Sequence, residues 1–69
     1  MDNSTILKVD SNDQFEVSLA ISVHYENRTF LFEVSMRNKV KSIAQTKVFC
    51  GNEFEQAVDC YNNAVLLLI

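Results

Sequence analysis

From Phe15 to Met36, apolar residues hold every second position: Phe15, Val17, Leu19, Ile21, Val23 and Tyr25, then Phe30, Phe32, Val34 and Met36. A period of two sends successive side chains to opposite faces of a strand. The run therefore predicts two strands, about 15–25 and 28–36, folded as a β-hairpin with Glu26-Asn27 at the bend. A loop of two residues, Glu26-Asn27, or of four, Tyr25 to Arg28, sets Val23 opposite Phe30, Ile21 opposite Phe32, Leu19 opposite Val34 and Val17 opposite Met36. The same register places Glu16 opposite Arg37 on the other face, an opposite-charge pair worth a few tenths of a kcal/mol. A three-residue loop would lose both matches.

Upstream, Thr5 to Val9 is a short apolar segment followed by Asp10-Ser11-Asn12-Asp13-Gln14, which reads as an edge strand of about 5–9 and a polar loop. Residues 40–49 fit two periods. Val40, Ser42, Ala44, Thr46 and Val48 alternate with Lys41, Ile43, Gln45 and Lys47, whereas Val40, Ile43, Ala44 and Val48 also fit a helical stripe. Of the two, the strand is preferred. With a three-residue loop Arg37-Asn38-Lys39, Asn38 takes a left-handed bend and the small Ala44 and Thr46 lie beside Phe32 and Phe30. That register assigns Ile43 and Gln45 to the opposite, open face of the sheet.

Gly51 ends this strand, and Asn52-Glu53-Phe54-Glu55 reads as a capping box that opens a helix of about 53–66. Phe54, Ala57, Val58, Tyr61, Ala64, Val65 and Leu68 recur at spacings of three and four, a stripe able to cover the apolar face of the sheet. Leu66, Leu67 and Ile69 fall partly outside it, either wrapping under the sheet edge or standing exposed. The expected fold class is α+β: one compact unit over 1–69, a small antiparallel sheet of three or four strands (a β-meander) with one C-terminal helix packed on one face.

Composition narrows the class. A chain of 69 residues buries only about 60% of its unfolded surface, near the lower limit for independent stability, so a partner or a homodimer would help it. Hydrophobic content of 48% and charged content of 22% are ordinary globular values and argue against a disordered tail. Met1 to Asp10 lacks a basic start and a long apolar run, and the longest apolar run, Ala64 to Ile69, is far short of the roughly 20 residues that span a bilayer. The expectation is a cytoplasmic protein without a membrane partner. The sequons Asn3-Ser4-Thr5 and Asn27-Arg28-Thr29 would carry glycans only on a secretory route.

Catalytic chemistry finds little footing. One histidine, His24, and two cysteines, Cys50 and Cys60, without Cys-x-x-Cys or His-x-x-x-His spacing, do not make a zinc site. With Cys50 at a strand end and Cys60 in the third turn of the helix, the two are about 12 Å apart along the axis, beyond disulfide reach, and should be reduced thiols. Neither a glycine-rich phosphate loop nor a Ser/His/Asp set with suggestive context is present. The chain is expected to be no enzyme, and no cofactor is expected.

Charge is segregated along the chain. Residues 28–49 carry Arg28, Arg37, Lys39, Lys41 and Lys47 against Glu33, a net of +4, while the flanking segments 1–27 and 50–69 carry −4 and −3. Arg37, Lys39, Lys41 and Lys47 could contact phosphates, giving a nucleic-acid reading as an alternative. That alternative is the weaker one, because the overall charge is −3 and no aromatic residue is interleaved for base stacking. The open sheet face is short of charge and suits contact with another protein, with Ala20, Ser22, Leu31 and Ile43, and the tail residues Leu66, Leu67 and Ile69, as candidate interaction residues. The acids Asp10, Asp13, Glu53, Glu55 and Asp59 form a candidate acidic surface able to imitate phosphates. The function expected from this balance is a small protein-binding module, in the style of inhibitors or adaptors of phages and other mobile elements working in a host cytoplasm. A structural subunit of a larger assembly is a further alternative.

Overall fold

The computed structural model describes residues 2–68, with side chains from Ser4 onward. Four strands, β1 (Asp2–Ser11), β2 (Phe15–His24), β3 (Thr29–Asn38) and β4 (Ile43–Cys50), precede a helix α1 (Phe54–Val65) that closes in a short 3-10 turn, Leu66–Leu68. The sheet order is β1-β2-β3-β4, every neighbour antiparallel, so the chain is a meander with a C-terminal helix, as its patterning predicts. One sheet and one helix make a slab of 38 × 24 × 15 Å.

The helix covers one face only. Val17 and Leu19 of β2, Phe32 and Val34 of β3, and Ala57 and Tyr61 of α1 form the buried core, with Ile21, Met36, Phe49, Val58, Val65 and Leu68 packed around it. Burying such side chains supplies about 1.5–3 kcal/mol each, and these few carry most of what holds the two layers together. Phe54, at the helix start, rests against the Phe32 ring with centroids 5.0 Å apart, and Phe30 meets Phe32 edge to face at 5.7 Å.

The β2–β3 register is the expected one, residue for residue from Val23 opposite Phe30 to Glu16 opposite Arg37. Its loop is the four-residue form, closed by the Arg28 N–H on the Tyr25 carbonyl at 3.3 Å, with Arg28 left-handed at φ 52°. Three expectations are corrected elsewhere. First, β1 is longer than 5–9 and pairs with β2 along its whole length, interrupted by a bulge between Ile6 and Lys8 that lets the edge bend. Second, residues 40–42 are turn rather than strand, and the left-handed residue is Ser42 (φ 56°), not Asn38. Asn38 is spent differently, its side-chain oxygen accepting the Val40 and Lys41 N–H groups at 3.1 Å each.

The longer turn changes which residue of β4 meets which residue of β3. Ala44 faces Arg37, Thr46 faces Ser35 and Val48 faces Glu33, while Ile43, Gln45, Lys47 and Phe49 take the helix side, opposite Asn38, Met36, Val34 and Phe32. Because side chains alternate with a period of two, a one-residue error exchanges the faces of the whole strand. Third, the helix begins at Phe54 with Glu53, not Asn52, at its N-cap, and no side chain caps it. Glu53 reaches backward instead, its carboxylate accepting the Cys50 N–H at 2.8 Å while its own N–H bonds the Cys50 carbonyl at 2.9 Å. Gly51 is held there by a close approach, since a Cβ at that position would lie 2.9 Å from the Phe30 ring and 3.0 Å from the Phe30 carbonyl.

Candidate protein-interaction face

The face away from α1 is a grid set by the strand registers. Across β1 to β4 its rows read Ser4, Ser22, Leu31, Cys50; then Ile6, Ala20, Glu33, Val48; then Val9, Ser18, Ser35, Thr46; then Ser11, Glu16, Arg37, Ala44. Serine, threonine and alanine dominate, so backbone lies close to the surface. Ile6, Val9 and Val48 stand 64%, 51% and 58% exposed on the two flanking strands, with Leu31 half-buried between them. Of the grid's three charged side chains, Glu16, Glu33 and Arg37, Arg37 donates to Glu16 at 2.7 Å, and the Ser35 and Thr46 hydroxyls share a hydrogen bond at 3.0 Å. His24 lies half-buried on the same face beyond the first row, opposite Thr29.

The structure splits the predicted interaction residues. Ala20, Ser22 and Leu31 lie together on the open face, and Ser22 is buried there. Ile43 does not join them, because the register places it on the helix side, 56% exposed. Leu66 and Leu67 stand exposed at the end of the helix, Leu67 forming one wall of a groove floored by Val34, Met36, Cys60 and Ala64. Ile69 lies outside the described residues. Ile6, Val9 and Val48 join this face as well: the short apolar segment 5–9 has no period that fixes a face, and a three-residue β3–β4 loop would place Val48 with Ala44 and Thr46 on the helix side.

The charged candidates disperse as well. Arg37 is engaged by Glu16 on the open face, Lys47 stands on the helix side, and Lys39 and Lys41 sit in the β3–β4 turn, so the basic residues form no single ridge. Of the acids, Asp10 accepts the hydroxyl of the buried Tyr61, with Lys8 Nζ 5.5 Å from the centre of the same ring. Burial, then the Asp10 carboxylate, pushes the Tyr61 hydroxyl up to about 12. Glu53 is occupied by the Cys50 N–H at the start of α1. Asp13 is at the other end, in the turn that Asn12 ties to the Leu68 carbonyl at 3.2 Å, so a helix length of about 18 Å separates the two acids. Cys50 and Cys60 are free thiols, and among the described residues no group of three or more His, Cys, Asp or Glu side chains could hold a metal ion. No described helix is long and apolar enough to cross a membrane.

Comparison with known proteins returns no match, whether to a family model, a curated protein or a solved structure.

Proposed function

We propose that the chain is a non-enzymatic protein-binding module that meets a larger protein through the open face of its sheet. One observation carries this reading: a helix-free face on which Ile6, Val9 and Val48 stand exposed around a floor of serine, threonine and alanine. Small side chains let a partner's surface approach the backbone and lose little rotamer freedom when covered, so burial is not offset by ordering long side chains. The exposed aliphatic residues provide the apolar contact. Acting this way, the protein is an inhibitor or adaptor that works by occupying a surface of its target, in the manner of small proteins encoded by mobile elements.

A nucleic-acid role has less support, since the four basic residues that would carry it lie on two faces and a turn, one of them already paired. The test is capture of a stoichiometric protein partner by the tagged chain from its source cell, repeated with Ala20→Arg and with Lys41→Ala. Ala20→Arg should abolish capture while leaving the circular dichroism spectrum unchanged, and Lys41→Ala should capture normally. Retention of the same partner by Ala20→Arg would remove the open face from the reading.

A further inference from the structure

We infer that copies of this chain join edge to edge, β4 of one against β1 of the next, continuing the antiparallel sheet as an open head-to-tail array. Among the described residues both edges of the sheet lack a partner strand, ten residues long at β1 and eight at β4. An uncovered edge is a template for a further strand unless it is short, charged, interrupted by proline, turned aside by a bulge or hidden; the bulge of β1 lies between Ile6 and Lys8, so the stretch open to pairing is Lys8 to Ser11. Neither edge contains proline, and the helix packs chiefly over β2, β3 and β4, leaving the β1 edge accessible. Because neighbours alternate in direction, an incoming β1 runs antiparallel to β4 without any change of sheet geometry.

Charge chooses the partner edge. From residue 39 to residue 50 the only charged side chains are Lys39, Lys41 and Lys47, and none makes an ion pair among the described residues. The opposite edge and its turn present Asp10 and Asp13 beside Lys8. Two β4 edges therefore offer each other no carboxylate, whereas β4 against β1 joins unlike charges. One register satisfies both faces at once. Asp10 of the incoming strand lies opposite Lys47 on the helix side, Val9 opposite Val48 and Ser11 opposite Thr46 on the open side. Sliding the strand by two residues places Lys8 or Asn12 opposite Lys47 instead and loses the ion pair. In the matched register Val9 and Val48, both more than half exposed in the single chain, cover each other.

A contact between unlike patches does not close on itself at two copies, and continuing a twisted sheet strand by strand along its own plane extends it as a ribbon rather than a ring. The ladder is small compared with a standard interface, which makes assembly concentration-dependent and, given its charge pairing, salt-sensitive. The inference does not require the function proposed above, but the two share Val9 and Val48 of the open face, so edge pairing and a partner on that face compete for them.

Sedimentation velocity tests it. At about 20 mM salt the weight-average mass should climb past two copies of the 7.9 kDa chain, without a plateau, as protein approaches about 1 mM, and fall back toward one copy at about 0.5 M salt. Lys47→Glu, a change at an exposed side chain, should keep the protein at one copy. Asp10→Lys should do the same, and an equimolar mixture of the two variants should assemble again, each supplying the charge the other lacks. If Asp10→Lys fails to fold by circular dichroism, Lys47→Glu against the unaltered chain decides alone. A single chain at every concentration in low salt, growth that stops at two copies, or growth of Lys47→Glu equal to the unaltered chain would each overturn the inference.

Discussion

Tyr61 ties α1 to the sheet and its β1 edge through one side chain: its ring is buried under the sheet, its hydroxyl donates to Asp10 of β1, and Lys8 of the same strand approaches the ring. The two ends of that hydrogen bond are not equivalent. Asp10 is exposed and can be rehydrated when Tyr61 is replaced, so Tyr61→Phe should cost about 1 kcal/mol. Asp10→Ala leaves a buried hydroxyl without an acceptor and should cost more, up to about 3 kcal/mol. Urea denaturation of both variants checks the order, and equal losses would show that the hydroxyl finds water. The raised pKa sets a pH window. An acid whose folded pKa lies above its ordinary value of 10.0 stabilises the fold while it stays neutral, so its contribution is complete below pH 10 and drains away toward about 12. Tyr61→Phe should lose less stability than the unaltered chain across that interval.

At the level of elements, the turns decide more than the strands do. The β2–β3 hairpin was legible because its apolar pairs and the Glu16–Arg37 pair agree on one register. The β3–β4 hairpin lacked such a check. Its turn holds no glycine or proline to mark its length, and β4 is apolar on both faces, with Ile43 and Phe49 on one and Ala44 and Val48 on the other. The turn is closed instead by the Asn38 side chain and by a left-handed Ser42, a conformation that costs a side-chain-bearing residue about 1 kcal/mol. Ser42→Gly should therefore raise stability by about 0.5–1 kcal/mol, less than the full strain because glycine gains freedom in the unfolded chain. A shift of the denaturation midpoint at constant slope would show it; no shift would mean that the Ser42 backbone is unstrained.

For the whole molecule the governing fact is a thin core. A chain of this length has about 3–10 kcal/mol of stability, and Phe32, 6% exposed, edge to face with Phe30 and tilted against Phe54, is its central ring. Phe32→Ala should cost about 3–5 kcal/mol and leave a substantially unfolded population at 25 °C, whereas Phe54→Ala at the rim should leave a folded chain. Near-ultraviolet circular dichroism separates these outcomes, and equal effects would mean that the helix start contributes as much as the core. The chemistry of folding explains which of these features the linear order of residues could announce. Alternation over Phe15 to Met36 and the stripe from Phe54 to Leu68 are local, because periods of two and of three to four follow from backbone geometry alone, and they specify the strands, the helix and the face that each buries. The register of β4, the reach of Tyr61 to Asp10 and the reversal of Glu53 onto Cys50 depend on where separate segments arrive in space. Only the folded chain brings Ile6, Val9 and Val48 onto one face, because their positions are set by a bulge and a turn whose lengths no periodicity records.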